Sequence, residues 1–525
     1  MRGTIRVLIR LAVFSLGIIL ASPSLPAADT NTQPRTHCPR SQTGNSGTKA
    51  VVTTKHSLTI PDGEFHYTVR TGEIPIPGEK EQNATARIFF TAYTLDNGSP
   101  EDRPLTFAFN GGPGAASVWL HLGALGPKIV SMPLDGSPPQ PPARLQSNPL
   151  TWLRFSDLVF IDPVGTGYSR SQEQEKAESF WGLEEDIRSV GKCIRLYLTR
   201  QKRWLSPKYL VGESYGSTRA AALSTHLDET YGIRLNGIVL ISPALDYATL
   251  DVHNGHILPY ALFLPSYAAG AALHARGNAQ ENQSLSDLLH TVEDFARGDY
   301  LQGLFQGDDL SAREAERLYA RTAEYTGLKP QLIQRCRGRI SPWLLRKELL
   351  REQTLLIGRM DTGVTGLDPA PESPFPEYDP SLRPLFGPFS SAANAYIRQD
   401  LQYESERVYE FLNPRVGRRW NWCQALQKDA LGQGYVNAAD NLKQAMSINP
   451  ALKVFLACGL FDLATPYFAT QYTVNQMHLD PRIRKNLELV RYPAGHMIYL
   501  RQQPRKQLYQ DVRSFYQRSC RTDDS

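Results

Sequence analysis

Short, nearly unbroken apolar runs punctuate the chain, separated by segments long enough to form a helix. Leu105 to Phe109, Asp157 to Asp162, Gly237 to Ser242, Leu452 to Ala457 and Leu487 to Tyr492 are such runs, and another enters Lys208-Tyr-Leu-Val-Gly212. A strand without polar alternation is buried on both faces, so this rhythm predicts a mainly parallel sheet flanked by helices. From Ala50 to Leu95 the pattern alternates instead, as in Phe65-His-Tyr-Thr-Val69, and predicts antiparallel strands that open the sheet. Leu183, Ile187, Val190, Ile194 and Leu198 keep helical spacing within Phe180 to Thr199. A last helix over Lys506 to Arg518 places Leu508, Val512 and Phe515 on one face. The fold class is α/β.

After Ala244 the strand rhythm stops, and Asp246 to about Arg418 reads as predominantly helical. Leu285, Leu288, Leu289, Val292 and Phe295 follow helical spacing, with Ser284 or Ser286 placed to cap, and Ala312 to Tyr325 is similarly amphipathic. Met360 to Phe389, rich in Pro, Gly and Asp, reads as a loop. The expected organisation is a first core segment (50–245), an inserted, mostly helical cap region (246–430) and a C-terminal core segment (431–525).

The N-terminus differs in kind. Arg2, Arg6 and Arg10 precede the short apolar stretch Leu11 to Leu20, and Pro26-Ala27-Ala28 supplies a small-residue exit. This predicts a secretory signal peptide over 1–28 and export to the periplasm or the medium, since a membrane span needs about 20 apolar residues. Residues 29–49, almost without aliphatic side chains, read as a flexible leader. Six cysteines lie beyond the signal (Cys38, Cys193, Cys336, Cys423, Cys458, Cys520) with no Cys-x-x-Cys, so structural disulfides are expected rather than a zinc ribbon. Composition is that of an ordinary globular protein, and Lys+Arg 57 against Asp+Glu 52 leaves only +5 on 525 residues. No dense basic tract interleaved with aromatics is present, which argues against a nucleic-acid partner. The sequence leaves the oligomeric state open.

The candidate chemistry begins where an apolar strand enters Gly212-Glu-Ser-Tyr-Gly216 and leaves as the helix-forming run Ser217 to Leu227. Strand, Gly-x-Ser-x-Gly and helix make a nucleophile elbow, with Ser214 raised on a tight turn and the helix N-terminus aimed at a developing oxyanion. Asp462 follows one late strand and His496 the next, giving the order Ser, Asp, His of an α/β-hydrolase. Ser214 is a poor nucleophile unless His496 takes its proton, and Asp462 would orient the imidazole and stabilise the imidazolium. Leu105 to Phe109 runs into Asn110-Gly-Gly-Pro-Gly114, which lacks the pattern of a nucleotide-binding loop and is either a second oxyanion donor beside the elbow or a plain turn. His253 and His256 are close in sequence but lack a Glu or Cys framework, and no metal is expected there.

The motifs Asn110-Gly-Gly-Pro-Gly114, Gly212-Glu-Ser-Tyr-Gly216 and Gly495-His496 together resemble the serine carboxypeptidases, peptidase family S10, in a bacterial-type secreted member. The resemblance implies an α/β-hydrolase fold that removes C-terminal residues from peptides or proteins through an acyl-enzyme, without metal or cofactor. It also implies an oxyanion hole from the backbone N–H groups of Gly112 and Tyr215, and recognition of the substrate's free carboxylate by Asn110 and Glu213. Glu213 would repel a carboxylate when ionised and donate a hydrogen bond when protonated, so binding should favour acidic pH. The chain departs from the family at Ala108, where Trp is common, at Ala115, where Cys is frequent, and at Ala124, which replaces the Glu of Glu-Leu-Gly-Pro. Half of the acidic carboxylate-binding pair is therefore missing. The competing readings are an acyltransferase or esterase using the same triad, and a non-catalytic binding protein on the same fold. Cys458, four positions before Asp462, either braces that loop through a bridge or is simply buried.

Overall fold

The structure, a computed structural model, describes residues 51–60, 63–78, 84–277, 284–422 and 434–520. The predicted signal peptide and leader lie outside the described residues. The strands that organise the molecule are β1 (Val52–Ile60), β2 (Gly63–Pro77), β3 (Ala84–Leu95), β4 (Leu105–Phe109), β5 (Asp157–Asp162), β6 (Lys208–Glu213), β7 (Gly237–Ile241), β8 (Lys453–Gly459) and β9 (Leu487–Tyr492). They form one sheet in the order β1-β2-β3-β5-β4-β6-β7-β8-β9, with the short strand Arg170–Ser171 added beside β3. Pairing is antiparallel from β1 through β5 and parallel from there to β9. This is an α/β-hydrolase fold, with each predicted parallel strand within two residues of its expected bounds, while the antiparallel strands run longer than the segments that announced them.

The apolar runs lack alternation because both faces of the central strands are covered. In β4, Leu105, Phe107 and Phe109 pack with α1 (Leu183–Arg200) and α2 (Tyr215–Tyr231) through Ile194 and Leu223. Ala108 faces the other side, where α7 (Gln502–Cys520) brings Leu508, Val512 and Phe515 against the sheet. Burying such side chains on two faces supplies about 1.5–3 kcal/mol each and fixes the strand order.

Between β7 and β8, neighbours in the sheet, the chain makes its long excursion. Helices α3 (Leu258–Leu273), α4 (Leu285–Phe295) and α5 (Ala312–Thr326) pack into a core of their own, which reaches back to Cys458 and Phe461. Ser284 caps α4, and Ser311 with Glu314 forms a capping box that starts α5. Two findings refine the sequence reading. The segment read as a loop contains half of a small two-stranded sheet (Leu355–Ile357 with Thr365–Leu367), and α6 (Phe386–Ala395) begins inside it. Moreover, α6 sits with the core rather than with the other inserted helices: the Phe386 ring packs edge-on and the Phe389 ring tilted against Trp119, at centroid distances of 5.4 and 4.8 Å.

Cys193, Cys336, Cys458 and Cys520 are free thiols, contrary to the expectation of structural bridges; Cys38 and Cys423 lie outside the described residues. Cys458 resolves as a buried core side chain in β8, and burial pushes its thiol up to about 12. Among the described residues, no helix is long and apolar enough to cross a membrane.

Candidate active site

Register brings the site together. Phe109 pairs with Gly212, Glu213 with Ile241, Ile241 with Ala457, and Gly459 with Tyr492. The C-terminal ends of β4, β6, β7, β8 and β9 therefore lie along one edge. Asn110, Ser214, Ser242, Asp462 and His496 leave those strands at the same rim. Open parallel sheets collect ligands at that edge.

Ser214 stands at φ 59°, ψ −127°, a region L-residues avoid, between β6 and the first turn of α2. Holding a residue there costs about 1–3 kcal/mol, and the surroundings impose it. Ser214 N–H donates to the Ile241 carbonyl at 3.0 Å, while the flanking glycines allow strand, turn and helix to cross closely. A Cβ on Gly212 would collide with the Gly216 carbonyl, and one on Gly216 would lie 2.6 Å from the Phe109 carbonyl. Gly111 passes equally close: its Cβ would sit 2.5 Å from the Tyr215 nitrogen. The Asn110–Gly114 loop is thus laid directly on the elbow, which brings the backbone of Gly112 and the N–H of Tyr215 to the same rim.

His496 Nδ1–H donates to Asp462 Oδ2 at 2.7 Å in a buried pair. That bond fixes the tautomer and leaves Nε2 as the acceptor. Asp462 is itself held by the N–H groups of Ala464 (2.6 Å) and Thr465 (3.1 Å) and by the Thr465 hydroxyl at 2.8 Å. The Ser242 hydroxyl donates to the His496 carbonyl at 2.6 Å, and His496 N–H donates to the Met360 carbonyl at 2.6 Å. Burial works against a charged imidazole, but Asp462, with Glu213 behind it, outweighs burial and raises the His496 pKa. Ser214, His496, Asn110, Gly112 and Glu213 line one cavity.

Glu213 is buried beside the nucleophile, and burial, offset only in part by His496 and by hydrogen bonding, pushes its carboxyl up to about 7. Asn110 Nδ2–H donates to Glu213 Oε1 at 3.1 Å, and Asn110 Oδ1 accepts from Leu120 N–H at 2.9 Å. Tyr499 presents its buried hydroxyl to the same carboxyl, close enough to interact but outside strict hydrogen-bond geometry, so Glu213 Oε2 has no hydrogen-bonded protein partner. The Tyr499 ring packs on Gly123, where a Cβ would meet it at 2.7 Å, next to Ala124.

Several contributors have no sequence signal of their own. Arg219 in α2 is fully buried; its Nε–H donates to Asp186 Oδ2 at 2.7 Å and its Nη1–H to the Asn110 carbonyl at 2.7 Å, which ties elbow helix, α1 and loop together. Arg359 enters the cavity from the insertion. Thr465, three positions after Asp462, could have been suspected from Asp462-Leu-Ala-Thr, a turn in which an Asx carboxylate collects following N–H groups. Elsewhere, ligand atoms of Asp251, His253 and His256 come within 4.8 Å of one another, a carboxylate the sequence reading did not join to the two histidines. Asp251 there also accepts from the Tyr435 hydroxyl at 2.8 Å.

Comparison with known proteins finds similarity to one family over part of the chain. The serine carboxypeptidase family model matches residues 77–284, a span that carries Asn110, Gly112, Glu213, Ser214 and Tyr215. Over those residues the chain is similar to the serine carboxypeptidases. Serine carboxypeptidase-like 13 of Arabidopsis thaliana is 29% identical over 38% of this chain and 44% of the relative. Pheromone-processing carboxypeptidase KEX1 of Yarrowia lipolytica is 27% identical over 37% of this chain and 32% of its own length. The alignments thus span less than half the length of the curated relatives. The crystal structure of KEX1(delta)p, a prohormone-processing carboxypeptidase from Saccharomyces cerevisiae, superposes with a TM-score of 0.53 at 17% identity, covering 86% of this chain and 91% of that one, and shares the fold. Asp462 and His496 lie beyond the family match, so their partnership rests on the geometry above.

Proposed function

We propose that the protein is a serine-type carboxypeptidase that hydrolyses the C-terminal peptide bond of peptides or proteins. The observation that carries this reading is a single cavity that holds both a His496–Asp462 pair beside Ser214 and a raised, buried carboxyl at Glu213 bonded to Asn110. A plain esterase needs the first set and has no use for the second.

In this reading His496 Nε2 takes the Ser214 Oγ proton as Oγ attacks the scissile carbonyl. The oxyanion is met by the N–H groups of Gly112 and Tyr215, the latter at the positive end of α2. His496 returns the proton to the leaving amine, then activates water against the acyl-enzyme. Asp462 keeps the imidazole oriented and stabilises its charged form. Asn110 and protonated Glu213 receive the substrate's terminal carboxylate; Glu213 Oε2, without a hydrogen-bonded protein partner, is the donor available to it. Ionisation of Glu213 places like charges together, so peptide binding weakens as pH rises through about 7.

The same reading assigns 50–245 and 431–525 to the hydrolase core and 246–430 to a cap region over the site. The N-terminal segment supports export. Mass spectrometry of a mixed peptide library after digestion tests the function. Successive loss of C-terminal residues is expected; internal cuts or intact peptides would overturn it.

A further inference from the structure

One cation in the active-site cavity has no structural work to do. Arg359 lines the cavity together with Ser214, His496 and Glu213, and it comes from the insertion, on the wall that closes over the strand ends. Among the described residues its guanidinium makes no hydrogen bond and no ion pair. Its close contact is the Trp343 ring, 5.9 Å from the guanidinium carbon to the centroid. Its backbone N–H is separately satisfied by Asp379 Oδ1 at 3.0 Å. The neighbouring Arg346 makes the contrast clear: it also lies over Trp343, yet its guanidinium is spent on the carbonyls of Ile357 and Tyr378.

A guanidinium withdrawn from bulk water without a partner is costly, and burial does lower the Arg359 pKa, offset in part by the charges of Asp379 and Asp462. Neither carboxylate reaches it as an ion pair, and both are committed elsewhere: Asp379 to Ser381 and the Arg359 backbone, Asp462 to His496. Arg359 is also close enough to the reacting groups for its charge to oppose protonation of His496. A fork of donors facing an open cavity, short of one anion, matches the geometry of a carboxylate.

We propose that Arg359 is a substrate-binding residue that pairs with a carboxylate of the bound peptide, either the terminal carboxylate or an acidic side chain next to the scissile bond. The assignment rests on the carboxypeptidase reading for its substrate class, but its test does not require turnover. Calorimetric titration of the Ser214→Ala protein with benzoyl-Ala-Leu, benzoyl-Ala-Leu-amide and benzoyl-Ala-Glu-amide separates the two sources. At least one ligand bearing a carboxylate should bind about tenfold or more tighter than the neutral amide, as expected for a charge-assisted pair. Adding Arg359→Gln should cut that advantage about tenfold, for the first ligand if the terminal carboxylate is the partner and for the third if a side chain is, leaving for the first ligand what Asn110 and Glu213 contribute. Arg359→Lys should keep part of it, which also guards against a variant that merely misfolds. An advantage left undiminished by Arg359→Gln, or no advantage for either carboxylate, overturns the proposal. C-terminal trimming by the unaltered enzyme separately decides the carboxypeptidase reading.

Discussion

Replacing Glu213 by Gln tests the site through stability as well as activity. Burial lifts this carboxyl from 4.5 to about 7, with His496 and hydrogen bonds offsetting part of the effect. A carboxyl whose folded-state pKa is raised keeps its proton longer in the folded chain than in the unfolded one. Its contribution is therefore fully present below about 4.5 and is lost as pH rises towards 7. At about 1.36 kcal/mol per pH unit, the loss is on the order of 3 kcal/mol. Gln is isosteric, keeps an acceptor for Asn110 Nδ2–H and never ionises. Glu213→Gln should therefore match the parent in chemical denaturation at pH 4 and exceed it by about 3 kcal/mol at pH 8. The same variant should lose the rise in KM for peptide acids through neutral pH, because its amide N–H is a donor at every pH. A stability difference that stays constant from pH 4 to pH 8 would refute the protonated-Glu213 account.

Other perturbations read other parts of the site. Asp462→Asn should leave the fold in place, since the carboxylate's N–H donors at Ala464 and Thr465 keep an acceptor, while kcat falls by about 10⁴ through loss of the imidazole tautomer; steady-state kinetics with KM little changed is the check. Gly212→Ala drives a methyl into the Gly216 carbonyl and should cost about 1–3 kcal/mol in denaturant unfolding, along with most fluorophosphonate labelling of Ser214. Arg219→Met strands the buried Asp186 and frees the Asn110 carbonyl, for a loss of about 3–5 kcal/mol; adding Asp186→Leu should recover much of that, and failure to recover would mean the ion pair is not the source.

Residues carried by strand ends were readable from sequence because their placement is local. Ser214, Asp462 and His496 each follow an apolar run by a few positions, and a parallel sheet has one edge at which such runs end, so chain order and period sufficed. The Asn110 loop was readable for the same reason. Residues delivered by packing were not. Arg359 sits in Gly358-Arg-Met-Asp361, where nothing local distinguishes a substrate-facing arginine from a solvated one; only the fold of the insertion turns it into the cavity. Tyr499, three positions after His496, carries no local sign of a role, and its position against Gly123 and Glu213 depends on three distant elements meeting. The cysteines failed in another way: even count and expected export predicted bridges, whereas Cys193 and Cys458 are used as small apolar groups inside the core.

Glu213 and His496 are coupled, each favouring the charged form of the other, and this links recognition to catalysis. The neutral pair and the ion pair hold the same number of protons, so pH does not choose between them. A bound anion does: next to a substrate carboxylate the proton is better placed on Glu213, which leaves His496 neutral and able to accept from Ser214. Under the proposed function, substrates with a free C-terminus would switch on the base they require, and esters or amides lacking that group would meet a less competent histidine. The coupling has a direct consequence in the empty enzyme. Glu213→Gln removes a charge that raises the His496 pKa, so the imidazole of the variant should titrate at lower pH than that of the parent. NMR titration of the histidine ring measures this shift, and identical curves for the two proteins would break the link between the carboxyl and the base.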